Sequence, residues 1–166
     1  MNKAQKLTTA GVMIAIGVVL SPFSIPVGIA RCFPIQHMIN VISAVVLGPV
    51  YAVAMAFATS VLRNILGTGT LLAFPGSMIG ALLAGLTVKY SRGKILPVCI
   101  GEMIGTGILG ALVAYPVAIH LMGREAAIFA FVIPFSVSAF GGAAIAFMLL
   151  TAFARTGILK RAGLNV

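Results

Sequence analysis

The chain has 166 residues, 61% of them hydrophobic and 8% charged, with a formal net charge of +9. A mean hydropathy of +1.18 excludes a water-soluble globular domain and points to an integral membrane protein. Its length is taken up by apolar segments, so residues 1–166 are expected to form a single transmembrane domain. The basic residues fall between the apolar runs, which makes the positive charge an orientation signal rather than a nucleic-acid footprint.

The first apolar segment runs from Leu7 to Ser24, with a break at Ser21-Pro22 near its far end. It follows Lys3 and Lys6 as a signal peptide would, but lacks a small-x-small cleavage site and reads as a span. Gly11 and Ala15, four apart and continuing toward Val19, form a small-residue face. Such a face lets a second helix approach closely, within this chain or in another subunit. Pro22, Pro26, Gly28 and Pro34 then predict an ordered loop from Ser24 to Pro34.

Arg31 to Asn40 is a polar seam between apolar segments. Gln36, His37 and Asn40 share one helix face, because Asn40 follows them at i+4 and i+3. Polar groups in hydrocarbon are costly, so the cluster reads either as part of a ligand pocket near one membrane surface or as interhelical hydrogen bonding with snorkelling. The second span, Ile35 to Leu47, is short for a crossing of about 20 residues and is expected to tilt or to start below the surface. Gly48-Pro49 ends it.

The third span, Val50 to Leu66, ends on Arg63-Asn64 and a Gly67-Thr68-Gly69-Thr70 turn. The fourth, Leu71 to Val88, carries Gly76, Gly80 and Ala84 as a packing seam. Lys89, Arg92 and Lys94 make a basic loop. The fifth span, Ile95 to Leu121, has Gly101 and Gly105 at the same spacing with Glu102 between them. After Gly123-Arg124-Glu125 the sixth occupies Ala127 to Phe153, closed by Arg155, Lys160 and Arg161. Six spans place both ends on one side. Eight basic residues then face three (Arg31, Arg63, Arg124), which predicts both termini in the cytoplasm and the Arg31–Asn40 seam toward the outside.

Glu102 is the acidic residue expected inside the hydrocarbon, about 9 Å along its span. It reads as a neutral donor to a ligand nitrogen, as a tie between helices, or as a partner of Arg63 or His37. His37 is the second titratable candidate, while His120 sits at an outer span end. Tyr115 and the Ser136-Val137-Ser138 stretch offer polar contacts from the last two spans, and aromatic belts and serine packing account for them equally. The candidate substrate-binding set is therefore Gln36, His37, Asn40, Arg63, Asn64, Glu102, Tyr115 and Ser136. No metal spacing joins His37, His120 and Cys32, and Cys32 and Cys99 have no CxxC partner. With no Asp and only Glu102 and Glu125, a paired-carboxylate or acidic metal site cannot form, so enzyme activity is not expected. No phosphate-binding loop is present, and no cofactor is expected.

Three stretches carry a family resemblance: GIARCFPIQHMINVISAVVLGPVYA, TSVLRNILGTGTLLAFPGSMIGALLAG and GEMIGTGILGALVAYPVA. They resemble the ThiW-type substrate-binding (S) components of energy-coupling factor transporters, associated with the thiazole precursor of thiamine. The resemblance implies an all-α, six-helix S-component fold in the prokaryotic plasma membrane and capture of hydroxyethylthiazole from outside. It also implies docking onto a transmembrane coupling subunit bound to two ATPase subunits, with toppling in the membrane to deliver the cargo. The family's Ala-x-x-x-Ala docking element corresponds here to Gly11 and Ala15. The alternatives are an S component for another small vitamin or precursor, and a stand-alone proton-coupled carrier using Glu102.

Overall fold

The computed structural model describes residues 1–28, 30–91, 94–123, 125–157 and 159. Arg92 of the basic loop, Arg124 of the predicted turn, and Lys160 and Arg161 at the close lie outside the described residues.

Helix α1 (Lys3–Val19) starts before the apolar run because Asn2 caps it. Asn2 Oδ1 accepts from the Gln5 amide at 2.8 Å and Gln5 Oε1 accepts from the Asn2 amide at 2.9 Å, a reciprocal capping box. The helix stops ahead of Ser21-Pro22, where the break is expected. The predicted loop beyond it is an antiparallel hairpin of β1 (Ile25–Val27) and β2 (Ala30–Cys32). Gly28 makes its turn at φ 58°, a conformation open to glycine at little cost.

Helix α2 (Pro34–Leu47) has proline at its first position, where the missing N–H costs nothing. Gly48, at φ 87°, ends α2 and lets Pro49 open α3 (Pro49–Ile65). Helix α4 (Ala73–Tyr90) follows the Gly67–Thr70 turn. Helix α5 (Ile95–Ile104), a π-helical turn (Gly105–Gly110) and α6 (Ala111–Met122) run on as one rod of 28 residues. The last helix, α7 (Val132–Arg155), starts five residues later than the expected Ala127, with Pro134 in its first turn. The stretch before it is turn. Counting the long rod once, the described residues form six helices. Two of them, Ile95–Met122 and Val132–Arg155, are long and apolar enough to cross a membrane, while α2 and α3 are shorter apolar helices.

Helix α2 lies at the centre: none of its residues is exposed, and α1, α3, α4, α5 and α7 all pack on it. The surrounding helices turn large apolar side chains outward, among them Val12, Phe57, Leu82, Ile100, Ile104 and Phe140. That exterior suits lipid better than water. Lys6 Nζ stands 5.8 Å from the Tyr51 ring centroid, bringing the starts of α1 and α3 to one end of the bundle. At the other end Ser21 Oγ and Thr68 Oγ1 are hydrogen-bonded at 2.7 Å.

Between α4 and the long rod, glycines replace side chains. A Cβ on Gly110 would lie 2.8 Å from Gly76 Cα, one on Gly105 2.8 Å from Gly80 Cα, and one on Gly101 3.1 Å from the Leu83 carbonyl oxygen. These backbones touch along the predicted seam, which alanine at any of the three positions would force apart. At the end away from the hairpin the centre is closed by small and branched side chains, including Val41, Ala44, Ala84, Val98, Ala146 and Leu150.

Candidate functional site

At the hairpin end the bundle holds a half-open cavity of about 350 Å³. Pro26, Ala30 and Arg31 of the hairpin form one wall, with Phe33 beside them; Gln36 and His37 come from the first turn of α2. Opposite are Thr70, Leu72 and Ala73, then Gly76 and Ser77 of α4, Thr106 of the π-helical turn, and Phe135 and Ser138 of α7. Most of these are apolar or uncharged. Ser138 Oγ accepts a 2.7 Å hydrogen bond from the Phe33 amide and so fixes the chain where it enters α2.

A polar centre lies directly behind the wall. His37 Nδ1 and Glu102 Oε1 are 2.8 Å apart. Asn40 Nδ2 donates to the same oxygen at 3.0 Å and to Ser77, while Thr106 Oγ1 lies 3.1 Å from it and 3.0 Å from the Gly76 carbonyl. Glu102 is fully buried, and its Oε2 has no partner among the described residues. Room for the carboxylate comes from Gly80, where a Cβ would stand 2.7 Å from both of its oxygens. Gly142 of α7 makes the matching space beside His37 Cβ, at 2.7 Å. Without these two glycines His37 and Glu102 could not meet.

Arg63 is also fully buried. Its guanidinium stacks on Phe33 at 3.9 Å from the ring centroid and donates from Nη2 to the Thr68 carbonyl at 3.2 Å. Nε and Nη1 have no partner among the described residues. Asn64 Nδ2 donates to the Ser60 carbonyl at 2.8 Å and to Thr70 at 3.1 Å, anchoring the turn that carries Thr70 into the cavity wall.

The sequence-predicted residues therefore separate into three groups. Gln36 and His37 line the cavity; Asn40, Glu102, Arg63 and Asn64 support its walls from behind. Tyr115 is half-buried on α6 and away from the cavity, and Ser136 donates at 3.4 Å to the Gly107 carbonyl. The wall residue of that serine stretch is Ser138. Of the three residues expected on one α2 face, His37 and Asn40 converge on Glu102, while Gln36 turns to Ser60 Oγ on α3 at 3.3 Å. Thr106, Ser77 and Phe33 were missed. Thr106 sits four residues after Glu102, a helical spacing that could have revealed it. Gly11 and Ala15 are exposed on the outer face of α1, and a Cβ on Gly11 would meet nothing within 4 Å.

An apolar helical exterior, two helices of membrane-crossing length and a small cavity with few directed polar groups point to a class: a helical membrane protein with a small internal cavity. The chain belongs to the ThiW family of thiamine-precursor transporter proteins, whose family model it matches over residues 7–156. No curated protein and no solved structure matches it. The family is one of transporters rather than enzymes.

Proposed function

We propose that the chain is the membrane-embedded S component of an energy-coupling factor transporter, a single domain spanning the prokaryotic plasma membrane six times with both termini in the cytoplasm. It takes up a thiamine precursor, hydroxyethylthiazole, from outside and passes it inward through a coupling subunit driven by two ATPase subunits. The observation that carries this reading is the cavity: about 350 Å³ is near the small end of ligand pockets, which run from roughly 300 to 1,000 Å³. Its position supports capture from outside. The cavity lies at the end that carries Arg31 and Arg63, whereas Lys3, Lys89, Lys94 and Arg155 flank the opposite helix ends.

In this reading Gln36 and His37 meet the ligand, supported by Asn40, Glu102, Asn64 and the Arg63-backed Phe33 ring. Tyr115 and Ser136 act through helix packing. The exposed Gly11–Ala15 stripe is the docking face for the coupling subunit. Mass spectrometry of the small molecule that co-purifies with the detergent-solubilised protein tests the assignment. A sulfur-containing heterocycle supports it, and a lipid or a metal ion overturns it. The buried His37–Glu102 pair favours one rival, a proton-coupled carrier. Uptake that survives removal of the ATPase subunits would establish that rival.

A further inference from the structure

The proton arrangement of the His37–Glu102 pair determines what the cavity offers a ligand. Asn40 Nδ2 donates at 3.1 Å to the Ser77 carbonyl oxygen, which can only accept, and the same Nδ2 lies 3.0 Å from Glu102 Oε1, so Glu102 Oε1 is an acceptor toward Asn40. Four arrangements then satisfy the 2.8 Å contact to His37 Nδ1. An imidazolium can donate to a carboxylate; a carboxylic acid can donate from Oε1 to a neutral imidazole whose proton is on Nε2; a neutral imidazole can donate from Nδ1 to a carboxylate; or it can donate from Nδ1 to the carbonyl Oε1 of an acid protonated on Oε2.

The third leaves an uncompensated anion in a fully buried position. Among the described residues its neighbours supply no cation: α4 faces the pair with Gly76, Ser77 and Gly80, the π-helical turn with Thr106, α7 with Gly142, and Cys99 lies one turn before Glu102. Arg63, the other buried cation, is directed to Thr68 and Phe33, and the ion pair that Glu102 makes among the described residues is with His37. An isolated buried charge is strongly disfavoured, and the fourth arrangement strands a hydroxyl donor on Oε2, which is buried with no acceptor among the described residues. Both surviving arrangements are neutral overall, and both put a proton on His37 Nε2. That nitrogen has no partner among the described residues. His37 forms part of the cavity wall and its side chain keeps 9% of its surface exposed, whereas that of Glu102 keeps none.

We infer that the pair is a fixed hydrogen-bond donor: His37 Nε2–H faces the cavity and selects ligands bearing an unshared lone pair, such as a pyridine-type ring nitrogen. Glu102 is a positioning residue that never touches the ligand. This rests on the proposed heterocycle-binding role of the same cavity and adds the chemistry of its selection.

Two measurements test it. The first compares hydroxyethylthiazole with its thiophene analogue, in which a C–H replaces the ring nitrogen, by calorimetry on the purified protein. The thiazole is expected to bind tenfold or more tightly, and His37→Phe to bring the two affinities together. In Glu102→Gln, Asn40 holds the amide oxygen at the Oε1 position. His37 then donates from Nδ1, Nε2 is bare, and the preference disappears while thiophene affinity is kept. A merely structural role for Glu102 would weaken both ligands equally.

The second measurement needs no ligand. With 15N-labelled histidine in a His120→Gln background, Nε2 is expected to carry its proton at neutral pH, and to lose it in Glu102→Gln. A bare Nε2 in the parent protein, or equal affinity for both heterocycles, overturns the inference. If neither heterocycle binds, the thiazole assignment falls, and the nitrogen spectrum alone then decides between donor and acceptor.

Discussion

Two stripes of small residues at a spacing of four have opposite fates in this molecule. On α4, Gly76, Gly80 and Ala84 are buried, and the first two meet the glycines of the long rod backbone to backbone. On α1, Gly11 and Ala15 are exposed, and a Cβ on Gly11 would meet no described residue within 4 Å, while α1 packs through Ala10, Met13, Ile14 and Gly17 instead. Spacing shows that a helix can be approached closely. Whether the approaching helix belongs to the same chain depends on what lies across from it. Gly76 and Gly80 face Gly110 and Gly105 on the long rod, whereas among the described residues nothing comes within 4 Å of a Cβ on Gly11.

The seam is the place to break this contrast most severely. Gly80→Val would push side-chain atoms into the Glu102 carboxylate and Thr106. Overpacking costs about 1–3 kcal/mol, and loss of a buried hydrogen-bonded pair about 3–5. The expected outcome is a protein that no longer elutes as a single folded species in detergent; an unchanged melting temperature would show that the seam is looser than described. Gly76→Ala is milder. Its Cβ would stand 2.8 Å from the Phe135 ring, a side chain that can shift at a cost of about 1–3 kcal/mol. The fold should survive with a smaller cavity, and ligand affinity should fall by roughly tenfold, as about 1.4 kcal/mol would give. Ser138→Ala removes one acceptor from the Phe33 amide, worth about 1 kcal/mol. A loss of affinity of about fivefold with unaltered expression is expected, and no loss would mean that Phe33 is held by packing alone.

The seam, the break at Ser21-Pro22, the Gly48-Pro49 boundary and the polar cluster of the Arg31–Asn40 segment were legible because each rests on local chemistry. Glycine spacing, proline and clustered polar groups report on their own surroundings. Element ends were less legible: α1 begins at a capping box outside the apolar run, and α7 waits until Val132 although its apolar run starts earlier. The pocket was half legible. His37, Asn40 and Glu102 were marked as costly in hydrocarbon, and they meet. Phe33, Thr106 and Ser138 carry no such mark, since an aromatic, a threonine and a serine are unremarkable in an apolar helix. Tyr115 and Ser136 were chosen by polarity alone, and polarity does not say which side of a helix faces the cavity.

The smallest expected effect on the isolated protein belongs to the outer stripe, and it sharpens the contrast most. Gly11→Leu adds a side chain where no described residue lies within 4 Å of the Cβ position. Replacing an exposed helical glycine should leave stability within about 0.5 kcal/mol of the parent or raise it slightly through helix propensity. Hydroxyethylthiazole affinity should not change, because α1 contributes no residue to the cavity wall. Uptake by cells is a different matter: a leucine would hold a docking helix away from a surface that depends on small residues, and transport should fall while ligand binding persists. Destabilisation of the purified protein would mean that Gly11 packs within its own chain, and undiminished uptake would move the docking face elsewhere. A separation of the two readouts, with binding intact and delivery lost, is the result that ties the vacant stripe to a partner and the filled stripe to the fold.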